Sequence, residues 1–292
     1  MRKKLYTLKK DLKRACIIST RKRTNLFIIG EQKCGTTSLF KLLSRNAQIL
    51  PASIKECNYF NTNKLNADKG FRNYHREFKQ LLYKKYLYQL DATPDYFSDE
   101  KTAGIIHDYN PCAKIIIMLR NPVARFISAY NFYFSNIVDD LEGAYRNYFQ
   151  YSEKGKAKYA FLQENPALTI EQFLNFELNG KSPLLALQRG HYFEHIANWE
   201  KYFDKKNTCI LYFENLISAK NSEAEILKLE EFLSLPLEKE FPKQNSSLKK
   251  IVVPEEVILK LEKYYSVELN HLNMLIPKKN ILIRETYINE QG

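Results

Sequence analysis

The sequence predicts an α/β fold: a P-loop-like parallel β-sheet flanked by helices, with a helical insertion on one side. Three observations carry that expectation. Short continuous apolar runs stand at Leu26-Phe27-Ile28-Ile29, Ile115-Ile116-Ile117-Met118-Leu119 and Cys209-Ile210-Leu211-Tyr212-Phe213. Strands of a parallel sheet are covered on both faces, so they read as unbroken apolar runs rather than as alternation. Segments of helical period separate these runs, and strands alternating with helices are the pattern of a parallel sheet. The first run leads at once into a loop bounded by Gly30 and Gly35 and then into a helix, the opening of many nucleotide-binding α/β domains.

In chain order, residues 1–24 form a basic extension. Its apolar run, Ala15-Cys16-Ile17-Ile18, is too short for a signal peptide or a membrane span. After the first strand, a helix is predicted from about Thr36 to Arg45 with Leu39, Leu42 and Leu43 on its inner face. A weaker strand lies near Tyr88-Gln89-Leu90. A helix from Asp99 to Tyr109 is stopped by Asn110-Pro111. The second strong strand ends at Arg120, and Asn121-Pro122 opens the next helix, because Asn suits the N-cap and Pro the first helical position. Residues from about 135 to 185 are polar, Tyr-rich and helical in pattern, and read as an insertion. A helix then carries Tyr192, Ile196, Trp199 and Phe203 on one stripe. Further helices are predicted over Glu223–Leu233 and Val257–Leu272. The chain has no internal repeat. Residues 25–275 read as one domain and residues 276–292 as a tail, since 292 residues suffice for one large core.

The composition, 45% hydrophobic and 27% charged, belongs to a globular chain. A net charge of +12 points to an anionic partner: a nucleotide, an acidic glycan, a membrane or a nucleic acid. No nucleic-acid-binding motif is present, so nucleic acid is not expected. The five cysteines are odd in number, far apart and without a C-x-x-C pair. That favours reduced thiols over a disulfide framework or a zinc site.

The loop Gly30-Glu31-Gln32-Lys33-Cys34-Gly35-Thr36-Thr37-Ser38 has the glycine spacing of the P-loop, G-x-x-x-x-G-K-[ST]. Thr36 stands where that motif has lysine, and Lys33 lies inside the loop instead. Free N–H groups at a helix N-terminus, backed by the helix dipole, suit an anion, and Thr36, Thr37 and Ser38 add hydroxyl donors. A kinase or GTPase needs a metal and a strand ending in Asp to hold it. The corresponding strand here ends in Arg120, which can grip a phosphate directly. The implied ligand is an anionic nucleotide bound at two places without metal.

These residues resemble the sulfotransferases that use 3′-phosphoadenosine 5′-phosphosulfate (PAPS), especially the heparan-sulfate-type and related bacterial branch. Ile28 through Ser38 is similar to the family's 5′-phosphosulfate loop. Leu119-Arg120-Asn121-Pro122-Val123-Ala124-Arg125-Phe126-Ile127-Ser128-Ala129-Tyr130 is similar to its 3′-phosphate motif. Lys55-Glu56-Cys57-Asn58-Tyr59-Phe60 resembles its K-E-x-x-F-F-like stretch, and Thr93-Pro94-Asp95-Tyr96-Phe97 its T-P-x-Y segment. Gly190-His191-Tyr192 through Trp199 resembles its G-x-Y-x-x-x-[LI]-x-x-W stretch. The matches run in order across roughly residues 25–215. Two departures stand out: Cys34 where the family often has Gly, and Asp91-Ala92 before Thr93 where it has a lysine or similar residue.

The resemblance implies sulfuryl transfer from PAPS, leaving 3′-phosphoadenosine 5′-phosphate (PAP), by metal-independent in-line displacement. The expected acceptor is a hydroxyl or amine of a glycan or glycolipid. Lys33 is the candidate that neutralises the leaving group, and Glu56 the candidate base. Cys34, Gly35, Thr36, Thr37 and Ser38 would hold the 5′-phosphosulfate, and Arg120 and Ser128 the 3′-phosphate. Lys55, Tyr96, His191 and Tyr192 are expected at the acceptor, with the 135–185 insertion forming its wall. A cytoplasmic enzyme is expected, with the basic extension either a solvated tail or a patch against the anionic inner face of a bacterial membrane.

Two other readings compete with this one. A small-molecule P-loop kinase would require Mg²⁺, and a basic nucleic-acid-binding protein would bind DNA or RNA in a salt-sensitive way. His191-Tyr192-Phe193-Glu194-His195 matches the H-x-x-E-H zinc pattern, but no third ligand accompanies it, so no metal is expected. Lys249 and Lys250 read as a solvated loop pair.

Overall fold

The computed structural model describes residues 17–19, 23–67, 71–81, 85–242 and 251–275. Most of the basic extension, the Lys249-Lys250 pair and the tail 276–292 lie outside the described residues. Five strands form the central sheet: β1 (Leu26–Gly30), β2 (Ile49–Pro51), β3 (Tyr88–Ala92), β4 (Lys114–Leu119) and β5 (Thr208–Tyr212). Their order is β2-β3-β1-β4-β5, and every pairing is parallel. The α/β class with a parallel sheet is therefore as predicted. A small antiparallel pair joins Ile17–Ser19 to Lys79–Leu81 at one side.

Successive residues of a strand point to opposite faces, and both faces here are covered. Leu26 and Ile28 pack with Ile116, Met118 and Leu211 on one side of the sheet. Phe27 and Ile29 pack with Ile115, Ile117 and Leu119 on the other. Burying each such side chain contributes about 1.5–3 kcal/mol, which is why these runs are unbroken.

Helix α1 (Thr36–Ser44) follows β1 and buries Leu39, Leu42 and Leu43. Helix α2 (Thr102–Tyr109) starts three residues later than predicted, because the Thr102 hydroxyl donates to Asp99 (2.7 Å) and holds the preceding residues in a turn. Helix α3 (Pro122–Phe132) starts where Asn-Pro placed it. The Asn121 side chain accepts from the N–H groups of Val123 (2.9 Å) and Ala124 (3.2 Å).

The next segment is helical: a π-turn at Tyr133–Ile137, then α4 (Leu141–Asn147), α5 (Glu153–Glu164) and α6 (Ile170–Leu178). These helices pack on α3 around Phe126, Leu162, Phe173 and Leu187. Helix α7 (Tyr192–Glu200) buries Tyr192 and Trp199, while Phe203 packs from the turn beyond it. Helix α8 (Ser222–Leu233) covers the far face of the sheet. The single helix predicted over Val257–Leu272 is two, α9 (Glu255–Tyr264) and α10 (Ser266–Leu275). The chain breaks at Tyr265, which is fully buried and anchored by its hydroxyl to the Leu187 carbonyl (2.7 Å).

Candidate active site

The site lies beyond the C-terminal ends of β1, β3 and β4, where ligands of parallel sheets gather. The loop Gly30–Gly35 is fixed by its neighbours. The Glu31 N–H donates to the Met118 carbonyl (2.6 Å) and the Cys34 N–H to the Glu31 carbonyl (3.1 Å). Gly30 packs so closely on Phe97 that an added Cβ would lie 2.3 Å from that residue's own Cβ. Gly35 has φ 85°, and a Cβ there would lie 2.5 Å from the Phe213 ring. A side chain at 35 would be strained twice over. Gly35→Ala is expected to cost at least about 2 kcal/mol, read as a lower midpoint of thermal unfolding.

That geometry leaves the N–H groups of Gly35, Thr36 and Thr37 without a hydrogen-bond partner among the described residues. All three stand at the N-terminal end of α1, with Gly35 as its N-cap, where free N–H groups and the helix dipole suit an anion. Cys34 contributes no side chain to it. Its thiol is fully buried beneath the loop, 3.9 Å from the Tyr192 hydroxyl, and burial pushes it up to about 12. Its N–H is already bonded within the loop. Thr36 and Ser38 are nearly buried, whereas Thr37 lines the adjoining cavity.

Lys33 sits at the tip of the loop with φ 70°, its ammonium 4.3 Å from the centre of the Phe132 ring. Burial, with Arg120 beside it, pulls its pKa from the ordinary 10.5 down to about 8. Arg120 Nη1 donates to the Lys33 carbonyl (3.1 Å), and its guanidinium lies 5.0 Å from the centre of the Phe213 ring. Ser128 lies in the second turn of α3 and is 8% exposed. Lys55 and Glu56 stand close enough to influence the Lys33 charge, and Lys55 Nζ contacts Glu56 Oε1 at 2.5 Å. Among the described residues, Glu56 Oε2 has no hydrogen-bond partner. The structure thus gathers Lys33, Thr37, Lys55, Glu56 and Arg120 from three separate segments of the sequence.

A cavity of about 520 Å³ opens beside this cluster. Gln32, Thr37, Lys55 and Glu56 line one side of it, and Tyr148 and Lys158, from the inserted helices, line another.

Three residues expected at the acceptor stand elsewhere. Tyr96 has no exposed surface, and its hydroxyl donates to Asp91 (3.1 Å). Tyr192 is likewise enclosed and donates to the Arg120 carbonyl (2.7 Å), so it supports the strand end from behind. The His191 ring bonds Glu268 (2.8 Å) and Tyr264 (2.9 Å) of the C-terminal helices. None of the three lines the cavity. Among the described residues, no group of His, Cys, Asp and Glu is placed to hold a metal ion.

The sequence reading missed an ionic bridge behind the loop. Arg189, 5% exposed, donates through Nε to Glu31 Oε1 (2.7 Å) and through Nη2 to Asp95 Oδ1 (2.6 Å). Glu31 is fully buried within the loop itself, and its Oε1 also accepts the Gln32 N–H (2.5 Å). Asp95 lines the cavity. Burial would raise its pKa, but the Arg189 guanidinium outweighs that and holds it at about 2. One arginine therefore joins the Gly30–Gly35 loop to the cavity wall.

Comparison with known proteins decides the family: residues 23–253 match the family model described as "Sulfotransferase domain". This chain belongs to the sulfotransferase family. The relatives include heparan sulfate glucosamine 3-O-sulfotransferase 5 of Mus musculus, 29% identical over 209 residues, which cover 72% of this chain and 53% of the relative. Carbohydrate sulfotransferase 15 of Homo sapiens is 25% identical over 255 residues, covering 72% and 44%. Membrane-associated sulfotransferase kil1 of Dictyostelium discoideum is 34% identical over 108 residues, covering 37% and 22%. The chain thus spans about half or less of the length of these relatives. A sulfotransferase from Alicyclobacillus acidocaldarius has the same fold, with a TM-score of 0.62 and 23% identity over 87% of this chain and 96% of that one. Among the described residues, no helix is long and apolar enough to cross a membrane.

Proposed function

We propose that this sulfotransferase moves a sulfuryl group from PAPS to a hydroxyl or amine of a glycan or glycolipid. The observation that carries the reading is the position of Lys33. It lies between Arg120 on the strand end and the Lys55–Glu56 pair at the mouth of the cavity.

The donor set suits a nucleotide anionic at both ends, with three free N–H groups at a helix N-terminus, a half-buried lysine and an arginine. Gly35, Thr36 and Thr37 would hold the 5′-phosphosulfate by their N–H groups, with hydroxyls of Thr36, Thr37 and Ser38 nearby. Arg120 and Ser128 would hold the 3′-phosphate. Bound there, PAPS supplies an activated sulfuryl group. Lys33 offers its ammonium where negative charge grows on the departing oxygen. Glu56 offers Oε2 to the acceptor proton, and Lys55, bonded to Oε1, keeps the carboxylate in place. Support for a carbohydrate acceptor comes from the relatives' names and from the sugar-sized cavity with Tyr148 on its wall, where a ring can stack.

The test is a transfer assay with labelled PAPS against a panel of cell-envelope glycans, with and without a metal chelator. Transfer should persist in chelator and fall by roughly 100-fold or more in Glu56→Gln. Undiminished transfer by Glu56→Gln would remove Glu56 from the base role. A strict Mg²⁺ requirement would overturn the metal-independent mechanism.

A further inference from the structure

We propose that Asp91 is a positioning residue that aims Glu56 into the cavity. The inference rests on the sulfotransferase reading and deepens it, since Asp91 touches neither the cavity nor the anion loop.

Asp91, on β3, is fully buried. Three hydroxyls donate to its carboxylate: Thr93 to Oδ1 (2.7 Å), and Tyr74 (3.0 Å) and Tyr96 (3.1 Å) to Oδ2. A hydroxyl has one proton to give. Thr93 and Tyr96 give theirs to Asp91 and so turn their lone pairs the other way. There the Tyr96 oxygen accepts the Tyr59 N–H (3.0 Å), and the Thr93 oxygen takes the Asn58 N–H at 3.5 Å. The strand end adds a direct bond from the Glu56 N–H to the Ala92 carbonyl (3.0 Å). A carboxylate that only accepts thus fixes two hydroxyl rotors, and the rotors fix the segment just after Glu56.

That segment needs holding. Glu56 has φ 66° and Asn58 has φ 46°, both in the left-handed region. Each such residue costs about 1–3 kcal/mol, and it persists only when its surroundings over-determine it. Asn58 also bonds back to the Glu56 carbonyl through Nδ2 (3.1 Å), so loosening Asn58 loosens Glu56. On the other side, Tyr59 and Phe60 pack against Tyr74 at ring-centre distances of 4.7 and 4.9 Å. This packing anchors the segment but does not set the direction of the Glu56 side chain. Burial raises the Asp91 pKa while the hydroxyls of Thr93, Tyr74 and Tyr96 draw it back down, which fits a carboxylate kept for its bonds.

The test compares Asp91→Asn, Thr93→Val, Thr93→Ser and Tyr96→Phe with the wild-type chain by amide hydrogen exchange, PAP binding and steady-state kinetics. Asp91→Asn should speed exchange at residues 58–60 but not at residues 33–38, and should lower kcat by roughly 100-fold. PAP affinity should not change. Thr93→Val should loosen the same amides, and Thr93→Ser should restore them. The proposal is overturned if exchange at 58–60 stays at the wild-type rate, or if exchange rises and PAP affinity falls throughout, as in a general loss of stability. Should Asp91→Asn fail to fold, Thr93→Val and Tyr96→Phe decide the matter by the same local readout. A wild-type chain that bound no PAP would sink the sulfotransferase mechanism, while the exchange data would still decide whether Asp91 holds the turn.

Discussion

Lys33→Ala should lower kcat by roughly 100- to 1,000-fold, the usual effect of deleting a preorganised donor to a departing oxygen. Three features combine to make the loss that large. The ammonium is half-buried and partly desolvated, so its field is less screened than at the surface. The Phe132 ring and the Arg120 bond to its carbonyl fix its place. Its backbone is held in the left-handed region, which sets the direction in which the side chain leaves the loop. A pH signature separates this role from a structural one. Lys33 must be protonated to act and titrates near 8 in the free protein, so kcat/KM for the donor should fall as pH rises through about 8. Stability should run the other way. A lysine whose pKa is depressed on folding binds fewer protons folded than unfolded between about 8 and 10.5. Its contribution to stability therefore rises with pH across that window. The stability of wild type minus that of Lys33→Ala should increase from pH 8 to 10.5 while the activity of wild type declines. A flat difference would mean that folding does not desolvate the Lys33 ammonium.

The strand, loop and helix that carry the proposed donor half were legible because their signals are local. A strand, two glycines at fixed spacing and a run of Thr-Thr-Ser each act on the next few residues, and so does Asn121-Pro122 after Arg120. Edge strand β2 escaped notice because three residues ending in Pro51 carry too little pattern. On the acceptor side, motif matching supplied residues but not the direction their side chains face. Tyr96 follows Pro94 in a 3₁₀ turn that swings its ring inward to Asp91. His191 is claimed by Glu268, 77 residues later. The departure at Asp91 looked like a missing cation when read as a motif. In the structure it is a hub for three hydroxyls, two of them contributed by the T-P-x-Y segment itself.

Arg189→Met should be the most destabilising single substitution in the site, and the reason is what it leaves behind. The Glu31 carboxylate has no exposed surface, and its Oε2 already lacks a partner. Removing Arg189 would leave Oε1 with only the Gln32 N–H. Breaking one side of a buried pair costs about 3–5 kcal/mol, because the remaining charge is stranded. In a chain of this size that amounts to about 10 °C in the thermal midpoint. Asp95 contributes less to the penalty, since its carboxylate is 35% exposed and can turn to water. Glu31→Gln combined with Arg189→Met removes both charges and should recover much of the loss, whereas two unrelated core lesions would add. The coupling should also appear in binding. Glu31 is part of the loop that presents the free N–H groups, so Arg189→Met should weaken PAP even where the protein remains folded. The double variant should bind PAP better than Arg189→Met alone. If Arg189→Met melted with the wild type, Glu31 would have to be satisfied by something other than the bridge, and the link between loop and cavity wall would be ornamental.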